Sequence, residues 1–309
     1  MAADTIQLFL NPAAGRGRAG KRLSRILQLL EQRGLELDVH QSGASGDLED
    51  QVCSRVSEGA SRIIVAGGDG SIHEATNGIL RADGTAALGV IPTGTGNDFA
   101  KACSISLNWE HATRLLAERI AADQKPRPID AGRCNNRFFA NGAGIGFDAK
   151  VTSVARSIDW PIGDVVYLVA IFKTMFDDIT TPRVTIFGDR VADDKGDHEH
   201  EIWDGPLTLA AVCNGQWVGG MFHIAPTASN DDARMELIIA KPMTRWRITT
   251  LLSKLMKGSH LSHPDIAHYT IRKLRIVAEG LVPSQLDGEV QPLQSEFDIE
   301  ILPGALQLL

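Results

Sequence analysis

From Ile6 to Ala122 short apolar runs alternate with longer stretches whose apolar positions recur every three or four residues. Ile6–Leu10, Leu35–Gln41, Arg62–Ala66 and Ala87–Ile91 read as strands of a buried sheet. Ala19–Arg33, Asp47–Glu58, Ser71–Leu80 and Glu110–Ala122 carry the helical period between and after them. Strand and helix in turn predict a doubly wound, parallel α/β domain over residues 1–125. At Gln124-Lys125-Pro126-Arg127-Pro128 the texture changes, and this polar, proline-bearing stretch reads as a domain linker. Beyond it, β segments are expected at Phe138–Asn141, Arg183–Phe187, Leu207–Cys213, Met235–Ala240, Tyr269–Val277 and Phe297–Leu302. Helices are expected near Asp164–Phe176 and Arg245–Lys257. Residues 126–297 are thus expected to form an antiparallel β-sandwich with a few helices, and residues 298–309 to return near the first domain. Gly142–Gly146 reads as a turn, and Asp193–Glu201 as a charged hairpin tip.

Composition narrows the function classes. A net charge of −7, without a basic stripe interleaved with aromatics, argues against nucleic acid as partner. The longest apolar run, Val165–Phe172, is far short of the roughly 20 residues that span a bilayer. Met1–Leu10 is too short and uncharged for a signal peptide, and Cys53, Cys103, Cys134 and Cys213 form no CxxC pair. These features predict a cytoplasmic chain with reduced cysteines.

Two loops carry the candidate chemistry. Ile63-Ile64-Val65 runs into Gly67-Gly68-Asp69-Gly70-Ser71, where glycines at a strand-to-helix junction let backbone amides approach an anion. The helix N-terminus adds positive potential. Asp69 in that position repels a bare phosphate, which makes sense if a metal, a proton or water lies between. Its other reading is a helix N-cap. Leu88–Ile91 runs into a second such loop, Pro92-Thr93-Gly94-Thr95-Gly96-Asn97-Asp98. Ligands of open α/β sheets bind at this edge of the strands, so the pair predicts a nucleotide-phosphate site. Gly15-Arg16-Gly17-Arg18-Ala19-Gly20 imitates a dinucleotide fingerprint, but Asn11–Ala14 separates it from the strand and Asp38 lies inside strand two. Arg16, Arg18 and Lys21 there suit a triphosphate instead. Ile129-Asp130, Ala225–Asp232 and Gln285-Leu286-Asp287-Gly288-Glu289 place further acids in turns, the last also a natural hairpin turn. His198, His200, His260 and His263 read as solvated.

With those motifs in view, the chain resembles the bacterial lipid kinases of the diacylglycerol kinase catalytic-domain family, relatives of sphingosine and ceramide kinases. The matching segments, in order, include Asn11-Pro12, Gly67–Gly70, Gly94-Thr95-Gly96-Asn97-Asp98-Phe99-Ala100, Ile129-Asp130, Phe138–Gly142, Gly144–Asp148, Asn214-Gly215, Asp231-Asp232 and Asp287-Gly288-Glu289. Ser71 stands where the family usually has Thr, and Ala233 where it favours Gly.

The resemblance implies transfer of the γ-phosphoryl of Mg-ATP to a lipid hydroxyl, with diacylglycerol or a related glycerolipid first and phosphatidylglycerol or a prenol-like alcohol behind it. It implies ATP on Asn11, Ser42, Gly67, Gly68, Gly70, Ser71, Gly94, Thr95 and Asn97. Asp287 is then the expected general base, with Asp69 as alternative, Glu289 near the catalytic Mg²⁺, and Asp98 and Asp130 completing the acidic set. A second, structural Mg²⁺ or Ca²⁺ is expected on Ser229, Asp232 and Arg234. Transient peripheral membrane contact follows from a lipid acceptor; a homodimer is compatible with the chain. A kinase of NAD or a sugar phosphate sharing the first glycine loop, and a non-catalytic lipid- or nucleotide-binding protein, stay open as rivals.

Overall fold

The computed structural model describes residues 5–82, 85–158, 165–176, 179–190 and 200–309, without the side chains of Arg16 and Arg190. Trp160–Asp164, His198 and most of the expected Asp193–Glu201 tip lie outside the described residues. The chain forms two compact units, 1–130 with 303–309, and 131–302.

The first unit holds β1 (Ile6–Leu10), α1 (Ala14–Glu31), β2 (Leu37–Gln41), α2 (Asp47–Ser57), β3 (Arg62–Gly67), α3 (Asp69–Arg81), β4 (Ala87–Pro92), α4 (Asp98–Ala102) and α5 (Trp109–Ala121). Charge placement supports the helices locally: α2 opens with Asp47, Glu49 and Asp50 and ends with Arg55, complementing its dipole. The Asn108 side chain accepts the His111 N–H and caps α5. The strands are parallel in the order β2-β1-β3-β4. Ile6, Leu8, Leu10, Ile64, Ala66 and Ile91 pack on one side against Ala19, Ile26 and Leu30 of α1 and Leu116 and Ile120 of α5. Because Gly67 lies beside Pro92 in the register, the loops after β3 and β4 leave the sheet side by side.

β5 (Arg127–Cys134) grows directly out of the expected linker, since its two prolines precede or open the strand. In the second unit follow β6 (Arg137–Phe139), β7 (Gly142–Gly146), α6 (Phe147–Ser157), α7 (Val165–Phe176), β8 (Arg183–Arg190), β9 (His200–Pro206), β10 (Leu209–Cys213), β11 (Trp217–Val218), β12 (Phe222–His223), β13 (Met235–Ala240), α8 (Arg245–Met256), β14 (Ile266–Leu286) and β15 (Glu289–Leu308). β13, β10 and β7 are antiparallel neighbours. The long β14 pairs with β13 by its first residues and with β7 by Ser284–Leu286, which closes the ribbon on itself. Register shifts around Val277–Ser284 provide the bend that this requires. The enclosed core includes Phe139, Ile145, Val212, Leu237, Ile239, Ile276, Phe297 and Ile299. The C-terminal end of β15, in the first unit, runs parallel to β4 through Gln307↔Ala87 and Leu308↔Leu88.

Gly142–Gly146 is a fully buried strand, not the expected turn. Small residues are needed there because a neighbour occupies the space a side chain would fill: a Cβ on Gly144 would lie 2.0 Å from Asp148 Oδ2. Glycine has low strand propensity, so local sequence gave the wrong sign, and tertiary packing decides. α6, absent from the expected set, starts on the next residue.

Candidate functional site

In the first unit the two glycine loops touch through their backbones. A Cβ on Gly94 would lie 2.5 Å from the Gly68 Cα, and one on Gly68 would lie 3.0 Å from the Gly94 Cα. Thr93 N–H donates to Gly67 O at 2.9 Å, extending the β3–β4 ladder into the loops. Asp69 is the first residue of α3, whose cap is Gly68 and carries no side-chain bond. The N-cap reading of Asp69 is therefore corrected: its Oδ1 accepts the Phe99 N–H at 3.1 Å and anchors the start of α4 instead. Gly70 and Ser71 form the rest of that first turn, with Ser71 buried. Helix geometry leaves the first N–H groups without intrahelical partners. Asp98 opens α4, nearly buried, with Lys101 Nζ at 3.3 Å. Thr93 Oγ1 and Asn97 Oδ1 are buried without a hydrogen-bond partner among the described residues. A polar ligand or water is the usual remedy for such atoms.

Arg18, from α1, reaches into the same place. Its Nε donates to Gly15 O at 2.8 Å, and its Nη2 to Gly94 O at 3.4 Å and Thr95 Oγ1 at 3.3 Å. Asn11 Oδ1 accepts the Ala13 N–H at 2.9 Å, and the buried Ser42 donates its N–H to Leu10 O at 3.0 Å. Both thus stand just past the ends of adjacent strands, beside the other loops. Asp130, buried on β5, accepts the Gly304 N–H at 2.8 Å.

In the second unit Asp287 and Gly288 form the two-residue tip joining β14 to β15, with φ of 50° and 85°. Positive φ at both positions fits a type I′ turn. The Asp287 carboxylate also accepts three backbone N–H groups, from Ala140 at 2.9 Å, Asn141 at 2.8 Å and Gly142 at 2.9 Å. Glu289 is paired with Arg156 of α6. Gln285, not among the expected residues, holds the turn from within: its Oε1 accepts the Gly288 N–H at 2.6 Å. The period of two along β14 puts Gln285 and Asp287 on one face, which is the signal that would have found it.

An apolar cavity lies in the same unit, lined among others by Val151 of α6, Tyr167 and Ile171 of α7, and Leu251, Leu252 and Leu255 of α8. It holds about 90 Å³ of water-sized free space. Asp148 lines it too, with its carboxyl pushed up by burial and its Oδ2 accepting the Gln285 amide at 2.7 Å. His260 corrects another expectation: it is 1% exposed, borders the cavity and bonds Ile224 O through Nε2 at 2.9 Å. Burial holds its pKa below the ordinary imidazole value. A polar residue in a turn reads as solvated from sequence, and the contact with Ile224, 36 residues away, leaves no local signal.

At the expected cation loop, Asp232 Oδ1 accepts the Arg234 N–H at 3.1 Å and Asp231 Oδ1 accepts the Ser229 hydroxyl at 2.5 Å. Ala233 takes the left-handed conformation at φ 58°, so the loop keeps that turn without the glycine. Among the described residues no cluster of three or more His, Cys, Asp or Glu side chains is placed to hold a metal. None of the four cysteines is in a disulfide. No described helix is long and apolar enough to cross a membrane.

Comparison with known proteins agrees with this layout. Residues 5–134 match the diacylglycerol kinase catalytic domain, and residues 142–309 the YegS C-terminal NAD kinase beta sandwich-like domain. A Shewanella frigidimarina protein named "Probable lipid kinase YegS-like" is 30% identical over 98% of this chain and 93% of its own length. The diacylglycerol kinase of Bacillus subtilis is 28% identical over 92% of this chain and 89% of its own. A crystal structure from Bacillus anthracis str. Sterne superposes with a TM-score of 0.77 at 25% identity, covering 99% of this chain and 94% of that one. The chain belongs to the bacterial lipid kinase family that joins a diacylglycerol kinase catalytic domain to a YegS-type C-terminal domain, and it is a kinase.

Proposed function

We propose that the protein transfers the γ-phosphoryl group of ATP to the hydroxyl of a lipid alcohol, diacylglycerol or a related glycerolipid. The apolar cavity carries this reading over a soluble acceptor. At about 10–15 Å³ per water, it has room for several waters or methylenes, and aliphatic and aromatic side chains dominate its wall. NAD or a sugar phosphate would need hydrogen-bonding groups in such numbers that this lining cannot supply. Asp148 ties the cavity to Gln285 and hence to the Asp287 turn.

Mg-ATP supplies the transferred phosphoryl group and the charge that neutralises it. The residues of the first unit fit it: the backbone of Gly67–Ser71 and Gly94–Asn97 offers N–H donors, while Thr93 and Asn97 offer buried polar atoms in need of partners. Asn11 and Ser42 border that loop set. Asp69 and Asp98, at the starts of α3 and α4, would supply acidic oxygens to a hard cation, whereas Asp130, on β5, is engaged by the Gly304 N–H. Asp287 takes the acceptor hydroxyl's proton, held in one orientation by the amides of Ala140–Gly142. Asp69 is the alternative base. Glu289, paired with Arg156, steadies the turn, and its carboxylate would be a further acidic oxygen for a catalytic Mg²⁺. A structural Mg²⁺ or Ca²⁺ would take Asp232 and the carbonyls of Ser229 and Arg234.

Membrane contact has a physical basis in two exposed aromatics. Phe176 is 82% and Trp246 80% exposed, and Arg245, the residue before Trp246, donates from Nη2 to Phe176 O. Aromatic rings beside Arg245 and Arg247 suit an anionic lipid interface. The test is purified protein with Mg-ATP and, separately, diacylglycerol, phosphatidylglycerol and prenol micelles, NAD and sugar phosphates. Phosphorylation of a lipid alone supports the reading; phosphorylation of NAD or a sugar phosphate, or of nothing, overturns it.

A further inference from the structure

α6 grips the Asp287–Gly288 turn from two sides. Near its start, Asp148 Oδ2 accepts the Gln285 amide at 2.7 Å, and Gln285 Oε1 accepts the Gly288 N–H at 2.6 Å. Two turns later, Arg156 Nη1 donates to Gly288 O at 3.3 Å and pairs with Glu289. The turn is also tied to β7, where Asp287 N–H donates to Gly142 O at 2.8 Å. Gly144 makes the first grip possible. Gln285 stands opposite it in the β14–β7 register, and a Cβ there would lie 2.0 Å from Asp148 Oδ2 and 2.7 Å from Gln285 Nε2. The glycine leaves room for the acid–amide pair and for nothing else. Gln285 is 4% exposed, so its amide must be satisfied inside the protein.

We infer that Asp148 is a positioning residue: acting through Gln285, it holds the Asp287–Gly288 turn in the conformation that aims the Asp287 carboxylate at the acceptor hydroxyl. This rests on the assignment of Asp287 to the acceptor's proton. A side chain that fixes a turn loses its effect when its acceptor oxygen is removed and regains it when one is restored. Burial pushes the Asp148 carboxyl toward its neutral form, for which asparagine is the close isostere.

The experiment compares Asp148→Ala, Asp148→Asn, Gln285→Ala and the Asp148→Ala/Gln285→Ala pair, with Mg-ATP and diacylglycerol micelles, and follows amide exchange at residues 286–289. Asp148→Ala and Gln285→Ala should each lower kcat by about 10²-fold, with KM for ATP unmoved. The double variant should lose no more than either single one, because both break one chain of contacts. Asp148→Asn should restore most of the loss. In the Ala variants the Gly288 amide should exchange faster, a change visible whatever lipid is used. Additive losses, or unaltered exchange at Gly288, overturn the inference. Equal damage from Asn and Ala with a raised acceptor KM also overturns it, since Asp148 would then touch the substrate itself. If wild-type protein phosphorylates no lipid while Gly288 exchange responds as stated, the lipid-kinase reading fails and the brace stands.

Discussion

The turns around Asp69 and Asp287 use the same residue type in opposite ways. Asp69 starts a helix after a parallel strand, and one of its oxygens accepts the Phe99 N–H across to the neighbouring loop. Asp287 caps an antiparallel hairpin, and its two oxygens accept three amides from residues 140–142. An asparagine at 69 keeps an oxygen for Phe99. At 287 it cannot serve all three donors, because an NH₂ group must face an N–H on one side. The lesson is that an isosteric change tests chemistry at one turn and chemistry mixed with folding at the other.

The largest effect is expected at Asp287. Asp287→Asn should lower lipid phosphorylation by about 10²–10⁴-fold, the usual worth of a positioned base. It should also cost about 1–3 kcal/mol of stability, because a buried donor loses its partner. Thermal unfolding and ATP affinity, measured on the same sample, separate the two losses. Asp69→Asn should cut activity with little change in unfolding temperature but with weaker nucleotide or metal binding. If Asp287→Asn turned over within about threefold of wild type, and Asp69→Asn were inactive with normal ATP affinity, proton acceptance would belong to Asp69. The contrast between the turns would then concern stability alone.

The next prediction concerns what holds the Asp69 turn in place. Gly94→Ala sets a methyl 2.5 Å from the Gly68 Cα, which rigid backbone on both sides cannot absorb. The loops should separate, with a cost of about 1–3 kcal/mol and a clear rise in KM for ATP. Gly68→Ala, meeting Gly94 at 3.0 Å, should be milder. Equal nucleotide affinity in both variants and wild type would show that the contact between these glycines does not shape the phosphate loops.

The first unit was far more legible in the sequence than the second, and the reason is the range of the determining contacts. β1, β3 and β4 are mostly apolar runs, interrupted by Gln7 in β1 and opened by Arg62 in β3, and all but Arg62 are buried, so local hydrophobicity names them. Asp69 and Asp98 sit at junctions that glycines announce. In the second unit β7 reads Gly-Ala-Gly-Ile-Gly and is a strand because β10 and β14 pair with it, while Asp148 and Gln285 fill the space over Gly144. α6 was missed because its signal begins on that strand's last glycine. Asp287 was found from its motif, but its donors lie about 145 residues away in sequence, and no local pattern records them.

Asp148 gives a smaller effect with a definite sign. Its folded pKa is raised by burial, so the native state binds more protons than the unfolded chain as pH climbs above the ordinary Asp range. Stability from this group is therefore present at low pH and lost as pH rises through the raised value. Asp148→Asn removes that loss while keeping an oxygen for Gln285. The variant's unfolding temperature should rise relative to wild type as pH climbs above about 4, where an ordinary Asp is ionised. A constant offset across that range would place Asp148 in water, and would weaken its link to the Asp287 turn.

The smallest effect returns to left-handed backbone, which Asp287 and Ala233 share at φ 50° and 58°. Aspartate tolerates that region because a short polar side chain bonds locally, whereas alanine brings a Cβ and no acceptor. The Cβ clash costs roughly 1–2 kcal/mol, and glycine's extra unfolded-state freedom returns about 0.5–1 kcal/mol of it. Ala233→Gly should therefore stabilise by about 0.5–1 kcal/mol, or roughly 1–4 °C in unfolding temperature for a chain of this size. The loop already has the required turn, so the glycine should leave any Mg²⁺- or Ca²⁺-dependent rise in unfolding temperature unchanged. Asp232→Asn should abolish that rise, because its carboxylate is the charged ligand proposed for the ion. If wild type gains nothing from millimolar Mg²⁺ or Ca²⁺, the ion assignment fails. The Ala233→Gly gain would survive that failure, since it depends on backbone strain alone.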